Sequence, residues 1–237
     1  MLKLVHLVIG LGLSLVLISC NIGQVTDEQI VKKHFRHASV VYDDQGRVTW
    51  LGCPKINRGF IDTYIFPPKP CRFRGSLPPE IGQLTELKSL RITGAAVTEI
   101  PPEINQLKHL EVLDLSGNNL ITLPPEIGQL TELQRLDLRH NQLTVLPPEI
   151  GALANLEILD LSENDLTTLP PEISGLGRLT SINLFFNDLI SLPKEIGNLT
   201  NLKVIGVGNN HNLTFLPIEV WQLREGGTRI NTDLTPP

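Results

Sequence analysis

Aromatic residues are scarce in this 237-residue chain, which holds seven Phe, two Tyr and two Trp, 5% in all. Its core must therefore be built from aliphatics, and any aromatic at the surface becomes informative. Basic residues are not in excess: 20 Lys and Arg stand against 25 Asp and Glu, for a net charge of −5. This mildly acidic balance excludes the basic stripe or patch expected of a nucleic-acid binder. Only three cysteines occur, Cys20, Cys53 and Cys71. The longest apolar run, Leu4 to Ile18, is interrupted by His6 and Ser14 and falls short of the roughly 18–20 residues that span a bilayer. Catalytic signatures are missing as well: no Walker loop, no HExxH and no GxSxG. His34 and His37 lie three apart without a clustered Cys or carboxylate partner, so a solvated pair is preferred to a metal site. Neither a cofactor nor an enzymatic activity is expected. What the chain does have is 41% apolar residues and 18 prolines. Prolines at that density break helices and central strands, so something periodic must place them.

The period is 23. LPPEI or a close variant starts at Leu77, Ile100, Leu123, Leu146, Leu169 and Leu192, each 23 residues after the last, and a seventh starts at Leu216, after 24. Each unit continues as L-x-x-L-x-L-x-x-N-x-L, for example Leu133, Leu136, Leu138, Asn141 and Leu143. These residues resemble the leucine-rich repeat family, whose units have this spacing within a period of 20–29. The resemblance covers 77 to about 223. It implies an α/β fold: a right-handed solenoid with a curved parallel sheet on its concave face and short helical turns and Pro-rich segments on its convex face. In each unit the Leu-x-Leu triplet is a short strand with alternate residues inward. The Asn bonds backbone groups where the chain leaves the strand, and the Pro-Pro pair lies on the return path, where no ladder N–H is needed. Ile127, Leu130 and Leu133 then mark one side of a helical turn. Glu80, Glu103, Glu126, Glu149, Glu172, Glu195 and Glu219 stand in column. They read as complements to the positive end of each turn, in preference to a ligand-binding ridge.

The ends depart from the pattern, as solenoid ends must. Thr26-Asp27-Glu28-Gln29 looks like a capping box opening a helix through about His37. A hairpin is expected around Asp43-Asp44-Gln45-Gly46, and Ile61, Tyr64 and Phe66 have the spacing of a degenerate first repeat. Trp221, at the position of Gly128 or Gly151, should cover the last core layer. Ala95 replaces the ladder Asn in the first full unit. One extra residue in Asn209-Asn210-His211-Asn212 should place a bulge near the final strand. The expected organisation is a signal segment, 1–19; a linker, cap and degenerate repeat, 20–76; the repeats, 77–223; and a tail, 224–237.

Lys3, the short apolar run and Leu17-Ile18-Ser19-Cys20 resemble a bacterial lipoprotein signal. The resemblance implies cleavage before Cys20 and lipid attachment to its thiol, and hence a membrane partner through that anchor. An ordinary signal peptide cleaved nearby is the alternative. Loss of Lys3 would take the net charge from −5 to −6. The expected location is the bacterial cell envelope, with the outer membrane or cell surface favoured by Asn21, and secretion as the alternative. Cys53 and Cys71 then form an even pair in an exported chain, either a disulfide or two buried thiols.

The residues flanking each strand leucine should point outward on the open face of the sheet. One column reads Arg91, Asp114, Asp137, Asp160, Asn183, Gly206; the next Thr93, Ser116, Arg139, Ser162, Phe185, Gly208. A third reads Gly94, Gly117, His140, Glu163, Phe186, Asn209, and a fourth includes Arg135. The stacked aspartates are either framework of the repeat or contact surface. Phe185-Phe186 replaces polar residues of neighbouring units and is the sharpest candidate, unless one ring folds back on the edge. Partner-binding residues are accordingly expected at Arg91, Asp114, Arg135, Asp137, Arg139, His140, Asp160, Glu163, Asn183, Phe185 and Phe186. The function implied is recognition of a protein by a monomeric, non-enzymatic module; the alternative is an envelope scaffold without a specific ligand.

Overall fold

The computed structural model describes residues 25–35, 38–53 and 75–236. The signal segment, Cys20, His37, Cys71 and the expected repeat at 61–66 lie outside them. Helix α1 (Asp27–His34) opens on the capping box: the Gln29 N–H donates to Thr26 Oγ1 and the Thr26 N–H to Gln29 Oε1. It stops short of the expected His37 end. Strands β1 (Ser39–Tyr42) and β2 (Val48–Cys53) form the expected hairpin. Its turn is held by Asp43, whose carboxylate accepts from the N–H groups of Gln45 and Arg47 and from Arg47 Nε. Those bonds, that from the Arg47 N–H foremost, hold the Asp43 carboxyl below its ordinary range.

Strand β3 (Gly75–Ser76) leads into the repeats. There follow β4 (Ser89–Ile92), β5 (Val97–Glu99), β6 (Val112–Asp114), β7 (Arg135–Asp137), β8 (Ile158–Asp160), β9 (Ser181–Asn183), β10 (Val204–Gly206) and β11 (Arg229–Asn231). Nine strands make one sheet in the order β1-β2-β4-β6-β7-β8-β9-β10-β11, parallel throughout except for β1 against β2. The small pair β3–β5 lies apart from it. Register is strict between units: Leu113, Leu136, Leu159 and Ile182 are mutual neighbours, all essentially inaccessible. A fully buried side chain of this size contributes about 1.5–3 kcal/mol, and the slots recur in every unit.

The helical turns are 3-10, five residues each: Pro79–Gln83, Pro102–Gln106, Pro125–Gln129, Pro148–Ala152, Pro171–Gly175 and Lys194–Asn198. The threefold spacing of Ile127, Leu130 and Leu133 is the 3-10 period itself. The Ile127 N–H donates to Pro124 O, that of Leu130 to Ile127 O and that of Leu133 to Leu130 O. In each Pro-Pro pair the first proline is extended and the second opens the turn, where a missing N–H costs nothing. The glutamate column falls in the first turn of these elements and of α2 (Ile218–Glu225).

Non-repeating strands extend the sheet at both ends. The sheet place beside β4 belongs to β2, with Trp50 opposite Ser89 and Leu51 opposite Leu90. The C-terminal tail is not a polar appendage: β11 adds a ninth strand on β10, with Ile230 opposite Ile205. Trp221 is nearly buried within α2, which closes the last layer together with β11. The extra residue does not bulge the strand. Asn210 keeps the ladder position, and the surplus is taken up in the turn at His211 and Asn212.

Candidate binding surface

Every ladder asparagine ties its unit to the one before. The Leu143 N–H donates to Asn164 Oδ1 at 3.0 Å, and Asn164 Nδ2 donates to Leu138 O and Leu161 O, each at 3.0 Å. Asn118, Asn141, Asn187 and Asn210 repeat the pattern. Where Ala95 stands, its own N–H and that of Val97 donate to Asn118 Oδ1. The amide is thus missing only on the side facing the cap. This ladder fixes the rows of outward residues on the open face.

The aspartate column makes framework bonds. The side-chain oxygens of Asp114, Asp137, Asp160 and Asn183 accept from the N–H groups of Ser116, Arg139, Ser162 and Phe185, two residues on. Asp137 is not a contact residue: its side chain is 2% exposed, with Arg135 Nη2 at 3.5 Å and Arg139 Nε at 3.6 Å. The long arginines of its own unit fold over the short carboxylate between them. Ser116 and Ser162, expected to face outward, are likewise buried. Asp114 and Asp160 remain half-buried, whereas Arg91, Arg135 and Arg139 are exposed.

Burial pushes the Asp137 carboxyl above its ordinary range; the neighbouring Asp114 adds to this, Arg139 opposes it and Asp160 adds again. An acid with a raised folded value binds more protons folded than unfolded. Its stabilising contribution is therefore lost as pH rises from the ordinary carboxylate range through the raised value. Asp137→Asn keeps the acceptor, as Asn183 does naturally. It should raise stability at pH 7, leave it unchanged near pH 3 and flatten the pH dependence between; urea unfolding at several pH values measures this.

The third column has a backbone cost. Gly94, Gly117, His140, Glu163, Phe186 and Asn209 all adopt positive φ, between 56° and 68°, the left-handed region that favours glycine. The sheet accepts Gly here in two units, yet three others carry large exposed side chains at roughly 1–2 kcal/mol each. His140 Nδ1 lies 2.7 Å from Glu163 Oε2. Glu163→Gly should stabilise the fold by about 0.5–1 kcal/mol even though it removes this exposed pairing with His140, a gain that thermal unfolding resolves.

The two phenylalanines separate. Phe186 is 56% exposed, whereas Phe185 is half-buried across the next strand. A Cβ built on Gly206 would fall 2.5 Å from Phe185 Cε2, and one on Gly208 2.6 Å from Cε1. The ring thus spans both glycines, and its centroid lies 6.4 Å from that of Phe186 at an interplanar angle of 44°. The alternative that one ring folds back is met by Phe185. The signal for it was in the sequence, as two glycines at outward positions one unit later. Two residues escaped sequence reasoning: Asp233 and Arg229, brought to the open face by β11. Asp233 Oδ2 accepts from the Asn209 N–H at 3.0 Å, and Arg229 Nε donates to Asn231 Oδ1.

A family model described as "Leucine-rich repeat region" matches residues 76–142 and 127–225. The chain belongs to the leucine-rich repeat family. Several solved leucine-rich repeat structures resemble it. One is a leucine-rich repeat protein of Leptospira interrogans, 39% identical, with a TM-score of 0.52, over 66% of this chain and 45% of that one. Another is the leucine-rich repeat domain of the type III effector XopL, 30% identical, with a TM-score of 0.59, over 66% of this chain and 56% of that one. A third is the Arabidopsis receptor kinase HAESA, in complex with the peptide hormone IDA and the co-receptor SERK1. It is 30% identical, with a TM-score of 0.52, over 60% of this chain and 24% of that one. The chain thus spans about half the length of the first two. No curated protein gives a significant match. The leucine-rich repeat is a protein-interaction fold, and among the described residues no helix is long and apolar enough to cross a membrane.

Proposed function

We propose that this chain is a non-enzymatic, monomeric binding module that recognises a protein through the open face of its sheet. The carrying observation is Phe186, an aromatic held in the left-handed region and 56% exposed, beside Phe185 on the surface of a parallel sheet. Similar solved structures include a receptor bound to a peptide hormone, and that precedent supports the reading. Exposed aromatics beside arginines and carboxylates have the composition of an interaction hot spot. The test is a binding screen of the full chain against displayed proteins, repeated with Phe185→Ala/Phe186→Ala. Loss of about 2 kcal/mol or more in binding is expected. Equal binding of every captured protein to both forms would defeat the reading.

The module is proposed to sit on the bacterial envelope, held by lipid on Cys20, with the outer membrane or cell surface as its site. Leu17-Ile18-Ser19-Cys20 after a short apolar run supports this. Mass spectrometry of the mature amino terminus should find a lipid-modified Cys20; an unmodified Cys20 or cleavage elsewhere would overturn it.

A further inference from the structure

The surroundings of the Phe185–Phe186 pair are acidic on both sides. On one side stands Glu163, whose N–H donates to Phe185 O at 2.9 Å. Asp160 is on the strand paired with β9, directly opposite Asn183. On the other side is Asp233: its Oδ2 lies 3.5 Å from the point over Gly208 where a Cβ would stand, and Phe185 Cε1 lies 2.6 Å from the same point. Ring and carboxylate therefore share the space above that glycine. Among the described residues neither Asp160 nor Asp233 has a basic side chain in ion-pair range. His140 meets Glu163, whereas Arg139 lies against Asp137 and Arg229 donates to Asn231. Gly206 and Gly208 present no side chain of their own, so nothing from that strand covers the outer side of the Phe185 ring.

A ring face flanked by carboxylates, two of which (Asp160 and Asp233) have no basic partner while Glu163 meets only the exposed His140 imidazole, is complementary to a cation that also carries an apolar stem. Lys and Arg side chains fit both demands: the charge is attracted to the aromatic face and the carboxylates, while the methylenes lie along the ring. The exposed Phe186, kept at a position that the fold fills with Gly in two other units, forms the second wall.

We infer that the Phe185–Phe186 pair, with Asp160, Glu163 and Asp233, is the seat for a Lys or Arg side chain of an extended polypeptide partner lying along the open face. This rests on the open-face reading above and adds the chemistry of the group bound there. The full chain should be screened against an array of random dodecapeptides and a glycan array. Bound peptides should be enriched in Lys or Arg. Their affinity should fall about tenfold with Phe186→Ala, and severalfold with Asp160→Asn/Asp233→Asn or on raising NaCl from about 50 to about 500 mM. Asn retains both framework acceptors, and a thermal melt confirms that each variant folds.

Peptides without a basic excess whose binding still needs Phe186 would overturn the cation seat and leave the open-face reading standing. So would peptides indifferent to the carboxylate variants. Phe186-dependent binding of glycans alone would replace a polypeptide partner with a carbohydrate one. Binding insensitive to both phenylalanines, or no bound peptide at all, would sink the seat; the first outcome would sink the open-face reading with it.

Discussion

Asn164→Ala should be severely destabilising, costing about 4 kcal/mol. The side chain partners one buried N–H, that of Leu143, and two buried carbonyls, those of Leu138 and Leu161. A buried polar group left unpaired costs about 1–3 kcal/mol, and Leu138, Leu143 and Leu161 are all inaccessible. Three such groups account for the estimate. The groups belong to two successive units, so the change weakens the contact between units as well as one turn. In a stack whose stability is close to a sum of units and their interfaces, urea unfolding should become less cooperative, with the two sides melting apart. Asn164→Asp is a sharper test. It keeps the acceptor for Leu143 but cannot donate to the two carbonyls, and its charge is buried, so it should be no milder than Ala. Asn155, whose Nδ2 donates to Thr131 O at the exposed surface, is the control: its replacement by Ala should cost under about 1 kcal/mol. A cost at Asn164 no larger than at Asn155 would refute the ladder as the main tie between units.

Gly151→Ala should be the second largest, at about 2 kcal/mol. A Cβ there would stand 2.1 Å from Glu172 O and 2.8 Å from its carbonyl carbon. Both are backbone atoms of the next 3-10 turn, so relief requires two stacked turns to separate rather than a side chain to rotate. Overpacking of this kind costs about 1–3 kcal/mol. The turns are close in both directions here, because a Cβ on Gly175 would lie 2.2 Å from Gly151 O. Ser174 and Asn105 occupy the equivalent position in other units, so the stack can open locally, and that keeps the cost finite. Gly177 separates this effect from helix or loop propensity: a Cβ there meets nothing within 4 Å. Its replacement by Ala should be neutral or stabilising by up to about 1 kcal/mol. Thermal unfolding of the two variants side by side decides the matter, and equal melting temperatures would remove the close-approach explanation.

Much of the architecture is legible in the amino-acid order. The period of 23, the inward leucines, the parallel sheet and the amide ladder are local rules repeated in register, and repetition makes each unit's neighbours the preceding and following copies of itself. The capping box at Thr26, the hairpin around Asp43 and the near-burial of Trp221 follow from short-range signals in the same way. Even the 3-10 character of the turns lies in the spacing of Ile127, Leu130 and Leu133.

Other features depend on contacts that no local pattern specifies. Asp137 is outward by alternation, yet its burial follows from two arginines of its own unit folding over it. The glycines at 206 and 208 mark a gap, but only packing chose Phe185 to fill it and left Phe186 outside. Asp233 reaches the open face because a non-repeating tail adds β11 to the sheet edge. Towards the other edge, the non-repeating β2 takes the place beside β4. The repeating interior is thus dictated by residue order alone, because burial there is set by period and side-chain type. The ends and the open face were settled by tertiary packing, because there the neighbours are not copies and the outcome turns on which side chain reaches which gap.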